Sequence, residues 1–239
     1  MLVWCWAPEP SGCLLGLIIV ITKTIDKPRR SVQLDFFELA SNRRSVRIYE
    51  PGLQISDSDL KKIFETVILS PSSFNIQHWR FIVVRDRERK IALRGLAFGQ
   101  AQVEEAAAVV LVCGRLSAYD DAARIYADVD EVTREKYLPM IEGAYKDQSE
   151  LQREEVMRSG SLAAMSLMYA AKAIGWDSGP MIGFDAAGVG AMLKLDGDTI
   201  PVMMVVLGKA DVSAQSRRSY RRPVSEVVTL EGFDGDALI

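Results

Sequence analysis

Two short apolar runs, Ala107–Cys113 and Pro201–Leu207, constrain the fold of this chain more than any other feature. Both are too short to span a bilayer as helices. Pro201–Leu207 is apolar throughout, which marks a strand buried on both faces, and Ala107–Cys113 reads as a second buried strand. A sheet covered on two sides needs helical layers above and below it.

The helices are legible. Ser56–Leu69 opens with Ser56 as N-cap and Asp59 at the third helical position, a variant of the capping box. Ile55 and Leu60 form a hydrophobic staple. Leu60, Ile63, Phe64, Val67 and Ile68 then give one apolar stripe of helical period. Trp79–Arg85 is an apolar, β-branched strand, and Asp86 caps a helix that stops near Gly95 or Gly99. Ser149–Ile174 is a long helix whose small residues allow close packing, with Gly175 as its C-terminal stop. Ala186–Leu193 is a short helix that Asp185 is placed to cap. Asp35–Ser41 reads as an amphipathic helix burying Phe36, Phe37 and Leu39. Asp120–Tyr145, with tyrosines at 119, 126, 137 and 145, reads as an irregular or helical excursion outside the core. Val224–Leu230 is strand-like and placed to pair with a neighbouring chain. The class expected is α+β, a sandwich with a small central sheet between helical layers.

Composition narrows the function. The net charge of −3 disfavours nucleic acid as a partner, because phosphate neutralisation requires an excess of Lys and Arg. The 3 cysteines, Cys5, Cys13 and Cys113, have neither metal-ligand nor redox spacing, and a reducing compartment is expected. His78 is the only histidine, which disfavours serine-type triads and zinc centres. Any catalysis is then expected to fall to a cofactor rather than to a metal centre.

Four segments are candidates for holding one. Asn42–Arg47 packs Arg43, Arg44 and Arg47 around Ser45, and arginine forks suit phosphate. Ser70–Trp79 sets Ser72, Ser73, Asn75 and Gln77 between a helix and a strand, and primary amides match a ring edge of alternating C=O and N–H. Gly175–Asp185 combines glycines with Pro180, Met181 and Ile182, and Gly183 permits close backbone approach to a flat ligand. Ser216–Pro223 is a second basic patch containing Arg221. Taken singly, each is equally a solvated basic turn, an ordinary loop, a helix–loop–helix turn or a linker.

In this order, however, the segments resemble the FMN-dependent nitroreductase family. The resemblance is carried by Arg-Arg-Ser-Val-Arg after Phe-Phe-Glu-Leu, then Ser-Pro-Ser-Ser-x-Asn-x-Gln-x-Trp before a strand. Gly-Pro-Met-Ile-Gly-Phe-Asp, Val-Val-Leu-Gly and Arg-Arg-Pro-Val-Ser-Glu-Val-Val follow, and Phe98–Val103 fits as well. It extends from Leu34 to Leu230.

The resemblance implies a three-layer α/β/α sandwich with a mostly antiparallel sheet, built as an intertwined homodimer with FMN at the interface. Arg43, Ser45 and Arg221, with Arg44 beside them, are then expected at the FMN phosphate, and Arg47 near the flavin N1–C2=O edge. Ser72, Ser73 and Asn75 reach the flavin from the other subunit, with Gln77 supporting that loop. Ile182 and Gly183 are expected to present backbone N–H groups toward N5 and O4, and Pro180 and Met181 are counted among the cofactor-binding residues. The implied reaction is ping-pong: NADH or NADPH gives hydride to N5, and a nitroaromatic, quinone or similar small acceptor then takes it. Specialised flavin chemistry on the same fold, or flavin binding without turnover, are the alternatives. His78 departs from the proline and Ile182 from the glutamate that many and some members, respectively, carry. Asp120–Tyr145 is the candidate lid.

Residues 1–30 look foreign to the rest. Leu14–Ile21 has the length of a signal-peptide core but lacks preceding basic residues and a following cleavage site. It is read as a docking arm or the product of an upstream start codon, ahead of a single cytoplasmic domain over 31–239 with no membrane partner.

Overall fold

The computed structural model describes residues 35–214 and 217–239, so the readings on residues 1–30 lie outside the described residues. In chain order the elements are α1 (Phe36–Asn42), α2 (Asp57–Val67), β1 (Trp79–Val84), α3 (Arg87–Leu96), α4 (Gln102–Glu105), β2 (Ala108–Arg115), α5 (Ala122–Ile125), α6 (Glu131–Tyr145) and α7 (Ser149–Ala173). They continue with β3 (Asp177–Met181), α8 (Ala186–Met192), β4 (Thr199–Gly208) and α9 (Val224–Val227). The four strands form one antiparallel sheet in the order β1-β2-β4-β3.

Strand alternation sends successive side chains of the two central strands to opposite faces. Val110 and Val112 of β2, with Val205 and Leu207 of β4, pack beneath α2 and α7. Val109, Leu111 and Cys113, with Met204 and Val206, pack toward α3 and α8. Both faces are thus dry, as the apolar runs required. Helix α7 lies close on the sheet. A Cβ on Gly160 would come within 2.8 Å of Val202, and one on Gly114 within 2.4 Å of Val156. Pro201 sits in a central strand, which usually excludes proline. It is tolerated because the β2–β4 register shifts there and β3 pairs only from Met204 onward.

The caps form as expected. Ser56 accepts the Asp59 N–H, Asp86 the Arg89 N–H, and Asp185 the N–H groups of Ala187 and Gly188. Asp59 does not close a capping box; its carboxylate takes the Trp176 indole N–H instead, at 3.0 Å.

Several expectations are corrected. Phe36 and Phe37 are exposed and Leu39 only half-buried, because no described element covers that face of α1 beyond an edge-on contact of Phe36 with Tyr169. Ile68 is exposed, since it is the C-cap residue beyond α2, while Leu60, Ile63 and Val67 of the stripe are buried in the core. Val224–Leu230 is not a strand: it begins as the single-turn helix α9, and Thr229 then bridges Ala237. Part of Gly175–Asp185 is a strand, β3, where a loop was expected. The excursion Asp120–Tyr145 builds a core of its own, with Ala122, Ile141 and Tyr145 packed on Ala118 and Ile76.

Candidate functional site

The first and third segments meet at the β3 edge. Ser45 bridges Ser178 in parallel, and the Val46 N–H donates to the Ser178 carbonyl at 3.0 Å. Residues Ser45–Glu50 then run as an extended strap. Tyr49 bridges Ala210, and the Glu50 N–H reaches Lys209 O at 2.9 Å. The buried Tyr49 hydroxyl donates back to Val46 O at 3.0 Å, and its ring fills the space over Gly208. The strap therefore has little freedom, and it presents Arg43, Arg44, Ser45 and Arg47 from a fixed backbone.

The fourth segment closes on the strap. Arg218 Nη2 donates to the carbonyls of Ser41 and Arg43, at 2.5 and 2.9 Å, joining positions far apart in the chain. The result is a cavity of about 550 Å³ lined by Arg43, Arg44, Arg47, Arg217, Arg218 and Arg221, with Ser45 and Asp211 among the other lining residues. Asp211 is itself occupied by the N–H and O–H of Ser213, at 2.9 and 2.6 Å. Burial, then the neighbouring Arg218 and, less, Arg221 and Arg44, lower the pKa of Arg43 below the ordinary arginine value, against the opposing effect of Tyr169. Six guanidinium groups against one lining carboxylate suit a multiply charged anion, and a phosphate dianion would offset their mutual repulsion.

Beyond Ser178, the edge strand β3 leads into Pro180–Gly183. Pro180 costs no ladder hydrogen bond on the open side of an edge strand. Ile182 is exposed, whereas the Met181 side chain is buried in the core, so only its backbone faces the site. Gln100 holds this turn, donating to Gly183 O at 2.8 Å and Ala97 O at 3.1 Å. Gln102 donates to Gln100 Oε1 and to the Met181 sulfur. Gln100 was not among the expected site residues. Its signal was the Phe98–Val103 run, read only as fitting the family.

The second segment lies elsewhere. Ser72, Ser73, Asn75 and Gln77 sit in the loop that enters β1, with a 3-10 turn over Ser73–Asn75. The strands β1 and β3 occupy opposite edges of the sheet, three strand spacings or about 14 Å apart. None of the four residues lines the arginine cavity. One chain thus presents two separate halves of the expected site.

The comparisons with known proteins agree with this architecture. Residues 40–209 match the model of the Nitroreductase family, and the chain belongs to that family. It is 38% identical to the Bacillus subtilis protein MhqN, across 81% of this chain and 98% of that protein. The NADH dehydrogenase of Thermus thermophilus is 33% identical, covering 82% of this chain and 95% of its own. Among solved structures, a protein from Exiguobacterium sibiricum in complex with FMN superposes with a TM-score of 0.75 at 32% identity, over 81% of this chain and 96% of that one.

Proposed function

We propose that the protein is an FMN-dependent oxidoreductase that passes electrons from NADH or NADPH to a small acceptor such as a nitroaromatic or a quinone. The arginine cavity against the β3 edge carries this reading. Its donor set fits the FMN phosphate: Arg43, Ser45 and Arg221 bind it, with Arg44 adding charge. Arg47 lies on the same strap and supplies a cation toward the pyrimidine edge, where negative charge accumulates on reduction. The segment Pro180–Gly183, the end of β3 and the residues after it, is braced by Gln100 and sets a close-packed backbone along the reacting edge. Bound FMN supplies the hydride-accepting and hydride-donating chemistry, while the protein binds, orients and tunes it.

The two halves of the site in one chain support a homodimer in which a second copy brings Ser72, Ser73, Asn75 and Gln77 to the cofactor. Exposed Phe36 and Phe37 on α1 offer apolar surface for such an assembly. Among the described residues no helix is long and apolar enough to cross a membrane. Cys113 is a free buried thiol, and a cytoplasmic location goes with this reading. Residues 31–239 are taken as one functional domain.

An absorbance spectrum of the purified protein, with FMN added and then NADH or NADPH under anaerobic conditions, tests the proposal. Flavin bands that bleach with either nucleotide support it. A protein that takes up no FMN rejects it, and bound FMN that neither nucleotide reduces rejects the reductase role.

A further inference from the structure

The loop Ser72–Gln77 is held by the tyrosine core built on α5 and α6. Phe74, Asn75 and Gln77 adopt positive φ values of 48°, 54° and 56°. Residues with a Cβ adopt that backbone only where their surroundings enforce it. Here the Tyr126 hydroxyl donates to Phe74 O at 3.0 Å, and the Gln77 N–H donates to Ser72 Oγ at 2.9 Å. The Tyr145 hydroxyl donates to Ser73 Oγ at 2.8 Å.

These bonds decide what the serines have left to offer. A hydroxyl has one hydrogen and two lone pairs. Ser72 and Ser73 each accept from their own chain, and neither hydroxyl hydrogen meets an acceptor among the described residues. The loop is therefore a pair of O–H donors awaiting an acceptor. Tyr145 has no freedom to change this. It is 2% exposed, stacks on Tyr119 and meets Phe74 and His78 edge-on. Burial raises its pKa, so the phenol remains a donor.

We propose that Tyr145 is a positioning residue for the flavin: by donating to Ser73 Oγ it commits the Ser73 hydrogen to the cofactor bound by the partner copy. The inference rests on the cofactor reading above. A donor fixed before reduction stabilises the more negative, reduced cofactor more than the oxidised one. With a phenylalanine at 145 the ring packing persists, but the Ser73 hydroxyl is free to rotate and its donation weakens.

The test is a spectroelectrochemical titration of the FMN-loaded protein. Tyr145→Phe is expected to lower the affinity for reduced relative to oxidised FMN about fivefold, or about 20 mV for a two-electron couple at about 30 mV per tenfold. Ser73→Ala should lower it at least as far, and Tyr145→Phe added to Ser73→Ala should give no further drop. A purely structural role for Tyr145 would change stability without this dependence on Ser73. An unchanged potential in Tyr145→Phe, or an equal drop in the Ser73→Ala background, overturns the proposal. If Tyr145→Phe fails to fold, an unchanged potential in Ser73→Ala alone overturns it. A wild-type protein that binds no FMN overturns the cofactor reading first, and is distinguished from these outcomes at the loading step.

Discussion

Gly179 lies directly beneath Val46: a Cβ at position 179 would stand 2.4 Å from the Val46 carbonyl oxygen. This contact is where the arginine-bearing strap is laid against β3. Backbone cannot yield there as a flexible side chain would, so Gly179→Ala must push the strap off the strand edge. The expected cost is about 1–3 kcal/mol, or several degrees in Tm for a chain of this size, with weaker FMN binding alongside. Thermal unfolding checks it; an unshifted Tm would show that the strap has room to move.

Arg43→Ala should weaken FMN binding by about 1.5–3 kcal/mol through loss of a charge-assisted contact. The apo protein should not suffer the same loss, because burial and then neighbouring like charges already disfavour the charged Arg43, as its lowered pKa records. The expected pattern is a large rise in FMN Kd with little change in apo stability. Titration of FMN into the two proteins measures the first, and urea unfolding the second. Equal affinity in wild type and variant rejects Arg43 as a phosphate ligand.

His78 gives a pH-dependent stability of known sign. It is fully buried, near Ser159 Oγ at 3.4 Å, and its Nε2 has no hydrogen-bond partner among the described residues. Burial pushes its pKa below the ordinary 6.5; Glu155 opposes this, while Arg80 and Arg115 add to it. The unfolded chain therefore takes up the proton first as the pH falls. Stability contributed by neutral His78 is present above pH 6.5 and declines below it. In His78→Phe that decline should flatten. Urea midpoints at about pH 7.5 and about pH 5.5 decide the matter, and parallel losses in the two proteins would assign the decline to other groups.

Cys113 should resist thiol reagents in the native state. It is buried in β2, and burial pushes its pKa up to about 12, so almost no thiolate is present at neutral pH. Peptide mapping after alkylation should find Cys113 modified only once the protein is denatured. Modification of folded protein at this position would mean that β2 opens to solvent.

Sequence alone determined the features that rest on local physics. Ser56, Asp86 and Asp185 cap their helices with side-chain oxygens two to three residues from the N–H groups they satisfy. The central strands were legible because residues buried on both faces must be apolar at every position. The order of the arginine, serine–amide and glycine segments placed the chain in its family. Tertiary structure alone decided what depends on distant partners. Asp177–Met181 carries Gly and Pro and has little intrinsic strand character; pairing with β4 makes it a strand. Phe36 and Phe37 show the helical apolar pattern, yet both stay exposed, with only an edge-on contact from Tyr169 to Phe36. The arginine cavity exists because Arg218 returns to cap Ser41 and Arg43, and four tyrosines scattered between 119 and 145 converge on one serine loop. Such long-range closures draw their energy from packing and from ladder hydrogen bonds rather than from neighbours in the chain, so no local pattern announces them.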